Sequence, residues 1–301
     1  MSDTTVSLSR KIGTAGDLQS VVRTMKAVAA SSVGQYESAV RALDDYYRTV
    51  QLGLAACLRE IEQPLAPAPA QRRETGPIAA VVFGSDQGLV GQFNDVMADF
   101  VIKTLQDLAV QKTVWTVGER IRSRLTETDL QLGKSFILPG SIGAITPLVG
   151  QILIEIETLR EKGDIAQVCV FHNSPHAGVI YSPACQRLLP LDEVWRRELT
   201  AMAWPTKNLP EVMNGGAATL LAFVREYLFV SLFRACAESL ASENASRLAA
   251  MQRAEKNIDE LLEGLKRSFH RLRQSGIDEE LFDVISGFEA LVAGAGAPPL
   301  T

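Results

Sequence analysis

SENASRLAAMQRAEKNIDELLEGLKRSFHRL, residues 242–272, contains no proline and repeats apolar residues every three or four positions. These positions belong to a series that runs from Leu220 to Leu272 in 15 steps over 52 residues, a mean spacing of about 3.5 residues. A spacing of 3.5 residues keeps one apolar seam on the same side of a helix and is typical of a left-handed coiled coil. The stretch therefore predicts one strand of a coiled coil.

The N-terminal segment has the same pattern. Between Leu8 and Ile61 the apolar positions take 15 steps over 53 residues, again about 3.5 residues per step. All thirteen prolines lie between residues 64 and 210 or among the last four residues, so both ends can form long uninterrupted helices. We predict that residues 1–63 and 211–297 form an antiparallel coiled coil.

The middle of the chain, residues 78–210, alternates short apolar runs with amphipathic segments. This alternation is typical of α/β domains, and it predicts an open, largely parallel sheet with flanking helices, inserted between the two long terminal helices. The proline- and alanine-rich residues 64–77 are predicted to be a semi-rigid linker. The predicted strands are 77–84, 112–118, 165–174 and an edge strand at 178–191, and the predicted helices are 93–108, 119–125 and 145–163.

The turn FGSDQGLVGQ, residues 83–92, follows the first predicted strand and precedes a helix. That is the setting of a phosphate-binding loop, but such a loop needs Lys and then Ser or Thr after its last glycine, where this chain has Gln92 and Phe93. Its glycine spacing also differs from the dinucleotide-binding fingerprint. A tight turn that packs a helix onto the sheet is favoured over a backbone-only phosphate site.

Other candidate sites are weak. Cys169, His172, His176 and Cys185 could be drawn as zinc ligands, but Pro175 keeps the two histidines from lying one helical turn apart. No arrangement of nucleophile and base can be placed in the sequence. We expect no catalytic residues, no bound metal and no cofactor.

Charge and cysteine content restrict the partners and the compartment. The net charge of −5 and a pI near 5.4 give no general attraction for nucleic acid. The four cysteines lack a C-x-x-C pair, which favours reduced thiols in a cytoplasmic compartment. The first residues lack an apolar segment of the kind that secretory signals contain, so no signal is expected there.

Three separated motifs resemble the gamma subunit of rotary F-type ATP synthases, in the family's order and over almost the whole chain. LQSVVRTMKAVAASS, residues 18–32, is similar to the family's opening helix, including its Met-Lys pair. GSDQGLVGQFN, residues 84–94, is similar to the family's Ser-Asp-Arg-Gly-Leu-Cys-Gly-Gly-Leu-Asn. The C-terminal matches are Arg247, Ala250, Met251, Ala254, Asn257, Arg273, Gln274, Ile277, Glu280 and Gly287.

The resemblance implies a central-stalk rotor subunit without an active site. Its coiled coil would turn inside an alternating ring of alpha and beta ATPase subunits, and its α/β domain would sit outside that ring. An epsilon-type stalk subunit and the membrane c-ring would be its other partners, at the cytoplasmic face of the bacterial plasma membrane, with no nucleic acid involved. It would couple ion-driven rotation to three catalytic sites.

Several positions depart from the family pattern. The departures indicate a divergent member, for which the sodium-linked alternative type of F-ATPase is a candidate. The positions are Gln87, Val90, Gln92, His270, Ser275 and Asp278.

The charges of the C-terminal helix are segregated. Residues 266–273 carry four bases and no acid, whereas residues 277–301 carry five acids and no base. We expect this basic segment to meet acidic loops of the catalytic subunits, with Arg23 and Lys26 brought close to it by antiparallel pairing. The predicted partner-contact residues are Arg23, Met25, Lys26, Arg271, Arg273, Gln274, Asp278 and Glu280.

The helix lengths point to an enclosing partner. The C-terminal helix is predicted to outrun the N-terminal one, and its last apolar residues, Ile277 to Leu291, would bury little by themselves. Two other functions stay open on the sequence alone: a coiled-coil adaptor with an α/β ligand-binding domain, and a small nucleotide-dependent enzyme.

Overall fold

The computed structural model describes residues 4–60, 76–106, 108–191, 193–208, 210–212 and 216–295. Two very long helices frame the chain: α1, Thr5–Glu60, and α6, Gly216–Ala295. Between them the chain forms β1 (Ile78–Phe83), α2 (Phe93–Gln106), β2 (Lys112–Val117), α3 (Glu119–Thr126), β3 (Gln131–Phe136), α4 (Ile145–Lys162), β4 (Gln167–His176), β5 (Val179–Leu189) and α5 (Glu193–Thr200). Most of the predicted linker, residues 64–77, lies outside the described residues.

The sheet confirms the predicted α/β arrangement. Its strand order is β3-β2-β1-β4-β5, with parallel pairing everywhere except between β4 and β5. All six residues of β1 are buried, because β1 is central and both of its faces are covered by helices. The predicted edge strand is confirmed as β5.

The other edge strand, β3, was not predicted. Only Phe136 of its six residues is buried, so the segment lacks the apolar run that identifies the other strands. Gly133 lies against Trp115 of β2, where an added Cβ would come within 2.9 Å of the indole ring. The backbone of β3 therefore packs tightly at a position with no side chain.

The chain divides into two units, residues 28–250 and residues 1–27 with 251–301. In the first unit one large core covers a single face of the sheet and includes Leu54 and Leu58 of α1 with Leu232 and Leu240 of α6. The opposite face is covered by α2 and α3, around Phe171. The C-terminal part of α1 and the N-terminal part of α6 are thus buried against the sheet.

Within the described residues, two segments are long and apolar enough to cross a membrane by length and composition, Ile142–Lys162 and Gly216–Ala290. In α4 the apolar residues Ile145, Val149 and Ile152 are fully buried in the sheet core. Residues 228–240 of α6 join the same core. Burial covers only part of each apolar window, 28% in the first segment and 33% in the second.

Candidate functional site

The turn between β1 and α2 is held by its own side chains. The Ser85 amide donates to Asn94 Oδ1 at 3.0 Å, and Asn94 Nδ2 donates to Ser85 Oγ at 2.8 Å. Ser85 Oγ in turn donates to the Gln87 carbonyl at 3.0 Å. Asn94 therefore occupies hydrogen-bonding groups that a bound anion would otherwise use.

The same turn packs helices onto the sheet. An added Cβ on Gly84 would lie 2.3 Å from Cβ of Ile121, so glycine is needed for α3 to approach β1. Asp86 Oδ1 accepts the Glu119 amide at 2.9 Å and so caps the first turn of α3. The motif has the packing role that the sequence favoured.

The crevice at the carboxyl ends of β1 and β4 contains part of α6. In an open α/β sheet, strands that lead to opposite sides leave a crevice at this position, where ligands commonly bind. Here Ser246 Oγ donates to the Val90 carbonyl at 2.6 Å, and Ser242 Oγ donates to the Asn173 carbonyl at 3.0 Å. The helix thus lies where a nucleotide would lie in other proteins of this fold class.

A third polar residue of α6, Glu238, lies in line with Ser242 and Ser246. Its Oε2 lies 3.0 Å from Nε2 of His172, in the middle of β4, and both side chains are buried. Glu238, Ser242 and Ser246 are spaced by four residues and therefore share one face of the helix. We call these three residues the polar seam.

The polar seam is linked to α1 by a chain of charges. Arg234 donates from Nε to Glu238 Oε1 at 2.7 Å, and its Nη1 lies 3.1 Å from Asp44 Oδ1 on α1. Burial alone would raise the pKa of Glu238, but hydrogen bonds from His172, Arg234 and Ser174 outweigh it and lower that pKa to about 2. The sheet, α6 and α1 are therefore joined through one ionised carboxylate.

The candidate zinc ligands have other roles in the structure. His172 contacts Glu238, whereas Cys169 and Cys185 lie on the neighbouring strands β4 and β5. No group of three or more potential metal ligands occurs among the described residues. The polar seam itself was missed, although the four-residue spacing of polar residues within an apolar helix was a usable signal.

In the second unit, α1 and α6 pair in antiparallel order. Arg23 Nε lies 3.0 Å from Glu255 Oε1, and Lys26 Nζ lies 2.5 Å from Glu255 Oε2. Four residues nearer the start of α1, Gln19 hydrogen-bonds Asp259, four residues further along α6. Hydrogen bonds from Lys26 and Arg23 lower the pKa of Glu255.

This pairing corrects one prediction. Arg23 and Lys26 do not lie beside the basic segment 266–273, because their partner Glu255 is 16 residues before Arg271. At 1.5 Å per residue, that separation is about 24 Å along the helix. The basic residues that were predicted to lie together therefore form two groups at different positions along the paired helices.

The other predicted contact residues are exposed or partly exposed. Met25 is partly buried, and Arg271, Arg273 and Gln274 are exposed on α6. Asp278 and Glu280 begin a stretch, residues 277–290, in which every residue is exposed. Six large apolar side chains in this stretch are 45–69% exposed: Ile277, Leu281, Phe282, Val284, Ile285 and Phe288.

A groove of about 800 Å³ lies in the same unit, between the start of α1 and α6. Its lining includes the exposed Leu18 and Leu261 together with Arg10 and Lys11. These two bases, rather than Arg23 and Lys26, lie on α1 near the level of the basic segment. Sequence reasoning missed them because it did not establish the helix register.

Comparisons with known proteins agree with this architecture. The family model described as ATP synthase matches residues 4–291. The chain is 28% identical over 289 residues to the ATP synthase gamma chain of Chromobacterium violaceum, covering 93% of this chain and 97% of that one. It is 29% identical over 304 residues to the ATP synthase gamma chain of Salinibacter ruber, covering 94% and 97%.

Solved structures share the fold. A chain of the Euglena gracilis mitochondrial ATP synthase, in a cryo-EM structure of its OSCP/F1/c-ring, superposes with a TM-score of 0.68 at 16% identity, covering 98% of this chain and 97% of that one. A chain from the central stalk and c-ring of the Tetrahymena thermophila mitochondrial ATP synthase gives 0.54 at 21% identity, covering 78% and 99%. Because the family model extends over nearly all of the sequence, the chain belongs to the ATP synthase gamma-chain family.

Proposed function

We propose that this chain is the central-stalk rotor subunit of an F-type ATP synthase and that it transmits ion-driven rotation to the catalytic subunits. The observation that carries the proposal is the exposed apolar stretch 277–290. An exposed apolar face of this size on a helix is normally covered by other protein. An alternating ring of alpha and beta ATPase subunits would provide that enclosure.

The first unit is proposed to connect the rotor to its other partners. The polar seam and the salt bridge between Arg234 and Asp44 join the sheet to both long helices. A load applied to the α/β domain would therefore pass to α6 through buried, directional contacts. We propose an epsilon-type stalk subunit and the membrane c-ring as the partners here, with no nucleic acid bound.

We further propose that the chain itself is non-catalytic. The turn 84–94 is closed by Asn94, and the crevice beside it contains Ser242 and Ser246. Neither location supplies a lysine for phosphate charge. The rotor would lie at the cytoplasmic face of the bacterial plasma membrane as a peripheral subunit.

Each proposed domain would have a separate role in the rotor. Residues 1–63 and 211–297 would form the shaft, 64–77 the linker and 78–210 the outer domain. We propose that the shaft meets the ring through Arg271, Arg273, Gln274, Asp278 and Glu280, with Arg23, Met25 and Lys26 forming a second contact level.

The enclosure is testable with Phe282→Asp combined with Phe288→Asp. The two side chains are 69% and 67% exposed, so the isolated chain should keep its helix content and melting temperature. Assembly with co-expressed alpha and beta subunits should fall at least tenfold, since charge would enter an apolar sleeve. Val194→Asp, at a position on α5 that is 60% exposed, is the matched control and should assemble normally. Normal assembly of the double variant would exclude the proposed enclosure.

A further inference from the structure

Leu89, in the turn between β1 and α2, combines two unfavourable features. Its φ of 62° makes it the one non-glycine residue with a positive φ in the part of the chain that the structure describes. A left-handed backbone brings the Cβ close to the following carbonyl oxygen, which is why glycine or asparagine is usual there. The Leu89 side chain is also 61% exposed, so the interior of the protein gains little from it.

The same turn contains a glycine in nearly the same conformation. Gly91, two residues after Leu89, has a φ of 58°. The turn therefore has glycine at one of its two left-handed positions and a large apolar side chain at the other. Strain of this kind persists at sites that have a function, so Leu89 is expected to contact something outside its own chain.

Contacts of its neighbours hold the turn in place. Val90, the residue after Leu89, is buried, and its carbonyl accepts Ser246 Oγ of α6 at 2.6 Å. On the other side of the turn, Asp86 Oδ1 accepts the Glu119 amide at 2.9 Å. The exposed side chain of Leu89 is thus carried by a backbone that is fixed on both sides.

A positive charge borders this side chain. An added Cβ on Gly88, the residue before Leu89, would lie 3.7 Å from a terminal guanidinium nitrogen of Arg120. Arg120 is exposed, so its charge is available to a partner. The surface that complements a large apolar group beside a cation is an apolar pocket bordered by a carboxylate.

We propose that Leu89 inserts into such a pocket on the ring of alpha and beta subunits. This inference rests on the proposed rotor function, in which that ring encloses the coiled coil. Ser246, which holds the turn, lies five residues before Met251, where the second unit begins on α6. Five residues of helix span about 7.5 Å, so the turn contacts α6 close to the enclosed segment. Burial of the Leu89 side chain on assembly would offset the strain of its backbone.

Competition for a limiting amount of alpha and beta subunits tests the contact. Equal amounts of the full-length parent and variant chains would be mixed with the subunits, and the chains in the assembled complex would be counted by mass spectrometry. The parent should outcompete Leu89→Gly about tenfold, as expected when a buried apolar side chain is removed. The same variant should unfold at a higher urea concentration than the parent, because glycine relieves the positive φ.

Three further variants are the controls. Leu89→Met keeps a large apolar side chain and should compete equally with the parent. Leu108→Gly changes a 40% exposed leucine four residues before β2, at the opposite edge of the sheet, and should also compete equally. Arg120→Glu should be outcompeted, and its defect should shrink at higher salt, which screens exposed charges.

Equal competition by Leu89→Gly would overturn the proposal, and so would a lower urea midpoint for that variant. A parent chain that is dimeric alone but monomeric as Leu89→Gly would also overturn it, by assigning the contact to a second copy of the chain. If the parent itself did not assemble with alpha and beta subunits, the proposed rotor function would fail, and the Leu89 contact would fail with it.

Discussion

Individual residues in this protein act mainly through close packing and buried polar contacts. Gly84 lets α3 approach β1, Asn94 closes the turn, and Glu238 joins three elements. None of the three needs a ligand to account for its surroundings. Their side chains and backbone groups contact other elements of the same chain.

Gly84→Ala should destabilise the fold. The new methyl group would meet Cβ of Ile121 at 2.3 Å, and both residues lie in the buried interior of the unit. Overpacking of this kind costs about 1–3 kcal/mol. Gly88→Ala is the control, because its nearest neighbour would be an Arg120 nitrogen at 3.7 Å. Urea unfolding should separate the two variants, and equal midpoints would contradict the packing role of Gly84.

Glu238→Gln should change stability in a pH-dependent way. The pKa of Glu238 is lowered to about 2, so the folded state favours the carboxylate. Its contribution, on the order of 2 kcal/mol after solvent screening, is complete above the unfolded pKa of about 4.5 and disappears as pH falls towards 2. The difference in unfolding free energy between parent and variant should therefore be large at pH 7 and shrink strongly by pH 3.

The exposed Glu260 provides the control for that titration. Glu260→Gln removes one carboxylate from the same helix at a side chain that is 67% exposed. Its unfolding free energy should track the parent at both pH values. A difference for Glu238→Gln that stayed constant from pH 7 to pH 3 would contradict the assignment of an ionised carboxylate to the seam.

At the scale of elements, periodicity and proline placement were sufficient to predict both long helices. The heptad-like spacing and the proline-free ends correspond to α1 and α6, and the apolar runs correspond to β1, β2 and β4. The strand β3 was missed because its contacts come from its backbone at Gly133 rather than from apolar side chains. Local patterns detect burial, and β3 buries little.

Helix register could not be predicted in the same way. An apolar repeat of about 3.5 residues is nearly unchanged when one helix slides by seven residues. The repeat therefore specifies which faces meet but not which residues are opposite. The contacts of Glu255 with Arg23 and Lys26 define the register. Without these contacts, the apolar repeat alone led to the wrong prediction that Arg23 and Lys26 lie beside the basic segment 266–273.

Removing the serines of the polar seam should loosen α6 from the sheet. Ser242→Ala with Ser246→Ala leaves the carbonyls of Asn173 and Val90 without these donors, at about 1–3 kcal/mol for each buried group. Ser239→Ala is the control, since Ser239 is buried on the same helix and its hydroxyl has no hydrogen-bond partner among the residues that the structure describes. Hydrogen exchange of β4 and α6 should accelerate only in the double variant; unchanged exchange would contradict the seam.

In the whole molecule, the charges that pair within the chain differ from those proposed to contact partners. Arg271→Glu with Arg273→Glu alters exposed residues and should leave circular dichroism unchanged while lowering ion-coupled ATP synthesis. Arg23→Glu with Lys26→Glu should also weaken helix pairing, because both residues contact Glu255.

Adding Glu255→Lys to the second variant should restore helix pairing. Recovery of pairing without recovery of coupled synthesis would indicate that Arg23 and Lys26 also contact the ring. If Arg271→Glu with Arg273→Glu supported synthesis at the parent rate, the proposed contact at those residues would be wrong.

Rotation of the assembled complex would test the proposed rotor function without relying on any single contact. The chain would be assembled with its alpha and beta subunits fixed to a surface, and a bead would be attached through a cysteine introduced at the exposed Val194. A rotor subunit predicts ATP-driven turning of the bead in one direction, in steps of about 120° for three catalytic sites. A complex that hydrolyses ATP while the bead shows only random motion would contradict the account.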